Sequence, residues 1–104
     1  MVRGQSKLIG SDQSGALVGA GDVGEQSRCL FENLGRVLAA AGSKPDDVAR
    51  VTVYMRDITE RAKMNAARKD FFGDHRPAST LIGVSALVEP EVLVEVDAVA
   101  VLQR

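Results

Sequence analysis

Two carboxylates in the last strand-like run of the chain are the side chains best suited to chemistry. Alternation places Glu95 and Asp97 on one face of that run, together with Leu93, Val99 and Val101. The other face is wholly apolar and carries Val94, Val96, Ala98, Ala100 and Leu102. A strand facing water would not carry so many aliphatic side chains on its wet side, so we expect both faces to be covered. A mixed face of this kind is typical of a site, a subunit interface, or both.

The other reactive residue types are scattered along the chain. Glu95 and Asp97 are too few oxygen ligands for a hard cation, and no further ligands are evident. His75 is the only histidine, so no transition-metal site is expected and a surface position is favoured. Cys29 lies in a helical pattern with no evident electropositive setting, which favours a packed thiol over a reactive one. We therefore expect no bound metal.

Composition limits the class of protein. A chain of 104 residues has the length of one domain, and 45% hydrophobic with 26% charged residues is ordinary for a globular protein. The net charge of −1 gives no field that would recruit nucleic acid or an anionic membrane. The single cysteine suits a reducing compartment, and neither a spanning segment nor a signal peptide is apparent. We expect a single domain over residues 1–104 of a cytoplasmic protein, without nucleic-acid or membrane partners.

Two helices are predicted from capping signals and apolar periodicity. Asp22 and Asp57 are each followed three residues later by a glutamate, which is the spacing of a capping box. Gly42 and Gly73 are placed to end the two helices. Within the second helix, Asn65 is a poor helix former. Two interpretations of it stay open: an exposed polar residue, or a side chain that reaches toward strand ends.

Strand patterns occur on both sides of the helices. Residues 7–10 and 16–19 give weak strand signals around a turn, which favours a short hairpin. Residues 50–56 alternate cleanly and predict a half-buried strand. Residues 79–86 and 91–102 predict two strands that meet at a turn, which would put Glu95 beside the strand of Ser79. This order predicts an α+β fold in which two helices cover one face of a mixed β-sheet.

The sheet face left open by the helices is predicted to be apolar. It would carry Leu81, Leu93, Val99 and Val101. At ~25 cal/mol per Å² of apolar area, burying several such side chains is worth several kcal/mol per protomer. We therefore expect a closed homo-oligomer.

Short segments spread over nearly the whole chain form a joint pattern. They are Val2-Arg3-Gly4-Gln5, Leu38-Ala39-Ala40-Ala41-Gly42, residues 47–57 (DVARVTVYMRD), Met64-Asn65-Ala66, Phe71-Phe72, Arg76-Pro77-Ala78-Ser79-Thr80 and residues 94–100 (VEVDAVA). In order and spacing they resemble the RidA/YjgF family of reactive-intermediate deaminases, small trimeric proteins with a chorismate-mutase-like fold. The resemblance implies a homotrimer without a cofactor, whose inter-subunit clefts bind a small carboxylic or imino acid.

The resemblance also implies an activity and a set of site residues. The activity is hydrolysis of reactive enamines or imines, such as 2-aminoacrylate, to 2-keto acids and ammonia. Glu95 matches the family's glutamate, which handles the attacking water or the proton. Gly4 matches the family's glycine before glutamine, and Asn65 matches its helix asparagine. Ser79 and Thr80 follow the Pro-Ala pair that precedes the substrate-binding arginine in the family.

This chain departs from the family pattern at two points. Ser79 stands where the arginine is expected, and losing one charge-assisted pair is worth roughly 1.5–3 kcal/mol, or about 10- to 150-fold. Arg76, three positions earlier, is an alternative source of a guanidinium for the same cleft. The family also has a strand before the Val-x-Gly-Gln segment, where this sequence begins, so we expect an altered sheet edge.

Two alternatives to deamination stay open. One is a non-catalytic trimer that binds a small metabolite or a partner protein, which the missing arginine favours. The other is an endoribonuclease, which the near-neutral charge and the 4% aromatic content disfavour.

Overall fold

The part of the chain that the structure describes contains four strands and two long helices. A computed structural model describes residues 2–102 and, of the side chains, those of residues 8–101. The strands are β1 (Val2–Leu8), β2 (Val48–Met55), β3 (Ala78–Gly83) and β4 (Val94–Leu102). The helices are α1 (Val23–Ala40) and α2 (Arg61–Phe72), and short 3₁₀ turns, Pro45–Asp47 and Ile58–Glu60, precede β2 and α2. Among the described residues, no helix has the length and apolar character to cross a membrane.

The strands form one mixed sheet in the order β1-β4-β2-β3. β4 runs antiparallel to both of its neighbours, whereas β2 and β3 are parallel. A parallel pair needs a crossover connection, which α2 supplies. The prediction that the strand containing Ser79 lies beside the strand containing Glu95 is wrong, because β2 lies between them. The predicted α+β fold with a mixed sheet is confirmed.

The hydrophobic core lies between the helices and one face of the sheet. Leu30, Phe31 and Leu34 of α1 pack there against Val51 and Val53 of β2, and none of the five is more than 1% exposed. The alternation predicted for β2 is therefore confirmed.

Two leucines expected on the open sheet face have contacts with the core. Leu81 and Leu93 both pack against the helix-covered core. Leu81 is the cross-strand neighbour of Val53, whose side chain points toward the helices. Leu93 precedes β4, which begins at Val94. The prediction that Leu81 faces away from the helices is wrong, so the open face is less apolar than expected.

The helix boundaries follow the predicted capping signals closely. The Asp22 carboxylate accepts a hydrogen bond from the backbone N–H of Glu25 at 3.1 Å and caps α1. Asp57 instead caps the 3₁₀ turn through the N–H of Thr59 at 3.0 Å, so α2 begins later than its capping signal indicates. Gly73 ends α2 with a φ of 60°, which glycine adopts at little cost.

The predicted N-terminal hairpin is present only as a small turn. The strand is Val2–Leu8 rather than residues 7–10, and the returning stretch contributes only an isolated bridge between Ser11 and Leu17. The Asp12 carboxylate accepts the backbone N–H groups of Ser14 and Ala16, at 2.8 and 3.0 Å. These bonds close the turn locally, so the return does not become a strand.

Candidate functional site

Glu95 lies near the start of β4, on the sheet face that the helices leave open. Its neighbours Val94 and Val96 are fully buried against the helices, and alternation turns Glu95 the other way. Its cross-strand partner is Tyr54 of β2, which pairs in turn with Ile82 of β3. Glu95 and Tyr54 are both half-buried. The carboxylate is therefore held on a rigid strand and remains accessible to a small ligand.

A row of polar residues crosses the same face beside Glu95. Asp97, Thr52 and Thr80 occupy facing positions on three neighbouring strands. Asp97 also pairs in register with Lys7 of β1. Thr80 is exposed on the edge strand β3. The structure thus places one predicted binding residue, Thr80, on the same face as the predicted catalytic glutamate.

Ser79 points to the opposite side of the sheet. Its cross-strand partner is Val51, whose side chain is buried toward the helices, while Ser79 itself is exposed. Glu95 is two strands away and level with Ile82, three residues further along β3. With strands roughly 4.8 Å apart and about 3.3 Å per residue, the Cα atoms of Ser79 and Glu95 are about 14 Å apart. A single chain does not bring the two side chains into one site.

Gly4 is also remote from Glu95 within a single chain. In β1 it pairs with Ala100, five residues further along β4 than Glu95. At about 3.3 Å per residue and 4.8 Å between strands, the Cα atoms of Gly4 and Glu95 are roughly 17 Å apart. Gly4 lies toward the end of the sheet where Ser79 lies, and Glu95 lies toward the other end.

Arg76 and Asn65 form hydrogen bonds close to α2. The Arg76 guanidinium donates to the carbonyl oxygens of Gly73 at 2.8 Å and His75 at 3.4 Å. A cation at this position is favoured by the C-terminal end of the helix. Asn65 is half-buried, and its Oδ1 accepts a hydrogen bond from Arg68 Nε, one helical turn on, at 3.3 Å. Within the described structure, neither residue is hydrogen-bonded to Glu95 or Thr80.

The alternation of β2 puts Arg50 on its polar face, but the sequence analysis did not name it as a candidate binding residue. A bulge interrupts the β2–β4 register between Val48 and Arg50. After the bulge, alternation places Arg50 on the same face as Thr52 and Tyr54, and its side chain is exposed. Arg50 has no hydrogen bond or ion pair with any side chain that the structure describes. Its position on the polar face of an alternating strand was the signal that could have identified it.

His75 and Cys29 have structural positions. His75 is half-buried rather than a free surface residue, and its Nε2 lies 2.8 Å from the carbonyl oxygen of Val48. The Cys29 thiol is buried, donates to the Ser11 carbonyl at 3.6 Å, and has a pKa raised by that burial. The prediction of a packed thiol is therefore confirmed. In the part of the chain that the structure describes, no three histidine, cysteine or acidic side chains are grouped to hold a metal ion.

Comparison with known sequences gives consistent matches along the chain. The model of the family described as Endoribonuclease L-PSP matches residues 2–102. A RutC family protein of Pyrococcus horikoshii is 41% identical over 80 residues, which are 77% of this chain and 63% of that protein. A 2-iminobutanoate/2-iminopropanoate deaminase of Salmonella typhimurium is 35% identical over 85 residues, 79% of this chain and 66% of that protein. This chain thus spans about two-thirds or less of the length of these relatives.

Solved structures share the fold. A Yersinia pestis protein of the Rid family superposes with a TM-score of 0.87 at 31% identity, covering 96% of this chain and 78% of that chain. A Mycobacterium tuberculosis member of the YjgF/YER057c/UK114 family superposes with a TM-score of 0.82 at 29% identity, covering 93% and 75%. The arrangement of two helices on one face of a mixed sheet is therefore that of these proteins.

Proposed function

The chain belongs to the YjgF/RidA family, and from that premise we propose that it hydrolyses 2-imino acids and their enamine tautomers to 2-keto acids and ammonia. Water adds to the imine carbon, the carbon–nitrogen bond then breaks, and ammonia leaves. The carbon keeps its oxidation state, so the reaction requires proton transfers and no cofactor. The observation that carries the proposal is a half-buried carboxylate, Glu95, fixed on the open sheet face. Relatives named as 2-iminobutanoate/2-iminopropanoate deaminases support the substrate class.

Glu95 acts as the general acid and base of this reaction. As a carboxylate it takes a proton from the attacking water, and as a carboxylic acid it gives a proton to the departing nitrogen. A positioned acid–base group of this kind contributes typically about 10²- to 10⁴-fold. Tyr54, directly opposite on β2, and the neighbouring row of Thr52 and Thr80 supply hydroxyl groups on the same face.

The complete site forms between copies of the chain. Ser79 and Gly4 are roughly 14 and 17 Å from Glu95 within one protomer by strand spacing, and Ser79 points to the other face. A small substrate cannot span that distance. A second copy that brings its Ser79 toward the open face of the first closes the gap. We propose a homotrimer with the site in its inter-subunit clefts, in a cytoplasmic protein.

The substrate carboxylate is bound without the arginine that the family resemblance implies. Ser79 and Thr80 offer neutral hydroxyl donors at that edge of the sheet. Two guanidinium groups lie near Ser79: Arg76 precedes it by three residues, and Arg50 pairs with its neighbour Ala78 across the sheet. If one of them binds the carboxylate, its replacement by alanine raises KM by about 10- to 150-fold, and the other replacement does not.

A non-catalytic binding protein is the second candidate function. Ser79 favours it, because a hydroxyl provides neither the charge nor the bidentate geometry of a guanidinium. The same inter-subunit cleft would then hold a small carboxylic acid without turnover. The endoribonuclease activity in the family's description is disfavoured by the net charge of −1.

One set of assays separates these functions. A 2-imino acid is generated in situ by an amino-acid oxidase, and keto acid and ammonia are followed with the wild type, Glu95→Gln and Glu89→Gln. Glu89 is an exposed glutamate outside the strands and serves as the matched control. If the protein is a deaminase, the wild type and Glu89→Gln accelerate the release of keto acid, and the rate with Glu95→Gln is at least about 100-fold lower. A wild-type rate equal to that of buffer contradicts it, and a melting temperature raised by small carboxylic acids then supports the binding protein.

A further inference from the structure

Gln26 of α1 is a buried amide with all of its hydrogen-bonding groups in use. It is 0% exposed. Its Nε2 donates to the carbonyl oxygens of Gly19 at 3.1 Å and Glu91 at 2.9 Å, and its Oε1 accepts the backbone N–H of Leu93 at 2.9 Å. Glu91 and Leu93 lie 65 and 67 residues further along the chain. One side chain thus joins the loop at Gly19, the start of α1 and the segment that leads into β4.

These bonds hold the residue that immediately precedes β4. Leu93 is held from two sides, because its N–H binds Gln26 and its carbonyl accepts the N–H of Arg56 at 3.2 Å. The next residue, Val94, starts β4 opposite Met55. Glu95 follows at once. Successive strand residues point to opposite faces, so a shift or rotation of the segment before β4 passes directly to the direction of the Glu95 carboxylate.

We propose that Gln26 is a positioning residue for Glu95, holding the start of β4 so that the carboxylate faces the open side of the sheet. This inference rests on the proposed function, which assigns Glu95 as the acid and base. Gln26 is on the helix-covered side and touches no reacting atom. An apolar residue at this position leaves the N–H of Leu93 and the carbonyls of Gly19 and Glu91 without partners in a buried setting. The segment then moves toward water, and Glu95 moves with it.

Asn33 provides a matched control on the same helix. It lies two turns beyond Gln26, and its Nδ2 donates to the carbonyl oxygens of Ser11 at 2.7 Å and Ile9 at 3.3 Å. Asn33 therefore holds the N-terminal loop against α1, as Gln26 does, but within the described residues its side chain forms no hydrogen bond to the segment before β4. Gln26→Met and Asn33→Leu each replace an amide with an apolar side chain of similar size.

Steady-state kinetics on these two variants test the proposal. Gln26→Met is expected to lower kcat by about 10- to 100-fold per folded protein with KM changed less than about threefold, because a misplaced catalytic group slows the chemical step. Asn33→Leu is expected to keep kcat within about twofold of the wild type, although both variants lower the melting temperature. Equal kcat values for the two variants, or a Gln26→Met variant that loses only stability, would overturn the assignment.

Amide hydrogen exchange tests the positioning without any assay of activity. The Leu93 amide is expected to exchange as slowly as the amides inside β4 in the wild type and Asn33→Leu, and at least about 100-fold faster in Gln26→Met. Fast exchange of Leu93 in the wild type would contradict the proposal. If the wild type hydrolyses no imine, the proposed function fails while the exchange result still decides whether Gln26 holds β4.

A third variant keeps the test decisive if Gln26→Met does not fold. In Gln26→Glu the protonated carboxyl accepts the Leu93 N–H and donates to the Glu91 carbonyl. The ionised carboxylate still accepts the Leu93 N–H but cannot donate to that carbonyl, and a charge at this fully buried position favours opening of the segment toward water. The Leu93 amide of Gln26→Glu is expected to be protected at acid pH and to lose protection as the carboxyl ionises, relative to the wild type at the same pH. Protection that does not change with pH would overturn the proposal.

Discussion

The close contact between Gly10 and α1 leads to a prediction with a defined sign. A Cβ added at Gly10 would lie 2.7 Å from the backbone oxygen of Gln26 and 3.1 Å from its Cα. These atoms belong to a helix backbone and cannot move aside as the end of a flexible side chain does. Gly10→Ala therefore forces the segment around Gly10 to move away from α1. Overpacking of this kind costs typically about 1–3 kcal/mol. For a domain of this size, that corresponds to a melting temperature lower by roughly 4–24 °C.

Gly24 provides the matched control because its replacement has the opposite expected sign. It lies in the first turn of α1, where an added Cβ would meet Asp22 Oδ1 at 3.4 Å and Lys63 Cβ at 3.8 Å, both ordinary contacts. Alanine is favoured over glycine in a helix by up to about 1 kcal/mol. Thermal unfolding followed by circular dichroism at 222 nm measures both variants. The packing argument is refuted if Gly10→Ala has the melting temperature of the wild type, or if Gly24→Ala lowers the melting temperature as much as Gly10→Ala does.

Three further predictions test the core, the thiol and a capping pair. Leu34→Ala removes a side chain that is 1% exposed and should lower the free energy of unfolding by about 2–5 kcal/mol. Val37→Ala, at a position that is 43% exposed, should change it by less than about 0.5 kcal/mol. Urea denaturation measures both variants, and equal losses of stability would contradict the assigned core. Cys29 should react with Ellman's reagent at pH 8 far more slowly in the native protein than in urea, because burial raises the pKa of its thiol, and equal rates would count against this. The hydrogen bond from the Thr59 hydroxyl lowers the pKa of Asp57 in the folded protein below its ordinary value. This bond therefore stabilises the fold fully at pH values above the pKa of Asp57 in the unfolded chain. The contribution is lost as pH falls through the lower pKa of the folded protein. The melting temperature of Thr59→Ala should therefore lie below that of the wild type near pH 6, with a difference that shrinks in strong acid; a difference that widens in acid would be inconsistent with this.

Local patterns in the sequence predicted the faces of individual elements well. The alternation that buries Val51 and Val53 is visible in the residues themselves, as is the cap at Asp22. β1 was predicted poorly because only its first and last residues are large and apolar. It is a strand because β4 offers an antiparallel partner along its whole length, from Val2 to Leu8. Tertiary pairing of this kind overrides local propensity.

Relations between distant elements could not be predicted from local patterns. Alternation placed Glu95 on the mixed face correctly, but its position relative to Ser79 depends on β2 entering between β3 and β4. The role of Gln26 was equally hidden, since its partners lie 65 and 67 residues away and are backbone atoms. Leu81 was assigned to the wrong face for the same reason, because its direction is set by the register with Val53.

A comparison of two hydrolysis rates tests the role of Glu95 most directly. Purified wild type and Glu95→Gln are each given 2-iminopropanoate formed in situ, and the initial rate of pyruvate release above buffer is measured at equal concentrations of folded protein. We predict clear acceleration by the wild type and a rate at least about 100-fold lower for Glu95→Gln. A Glu95→Gln protein that releases pyruvate as fast as the wild type would contradict the assignment of this carboxylate as the catalytic group.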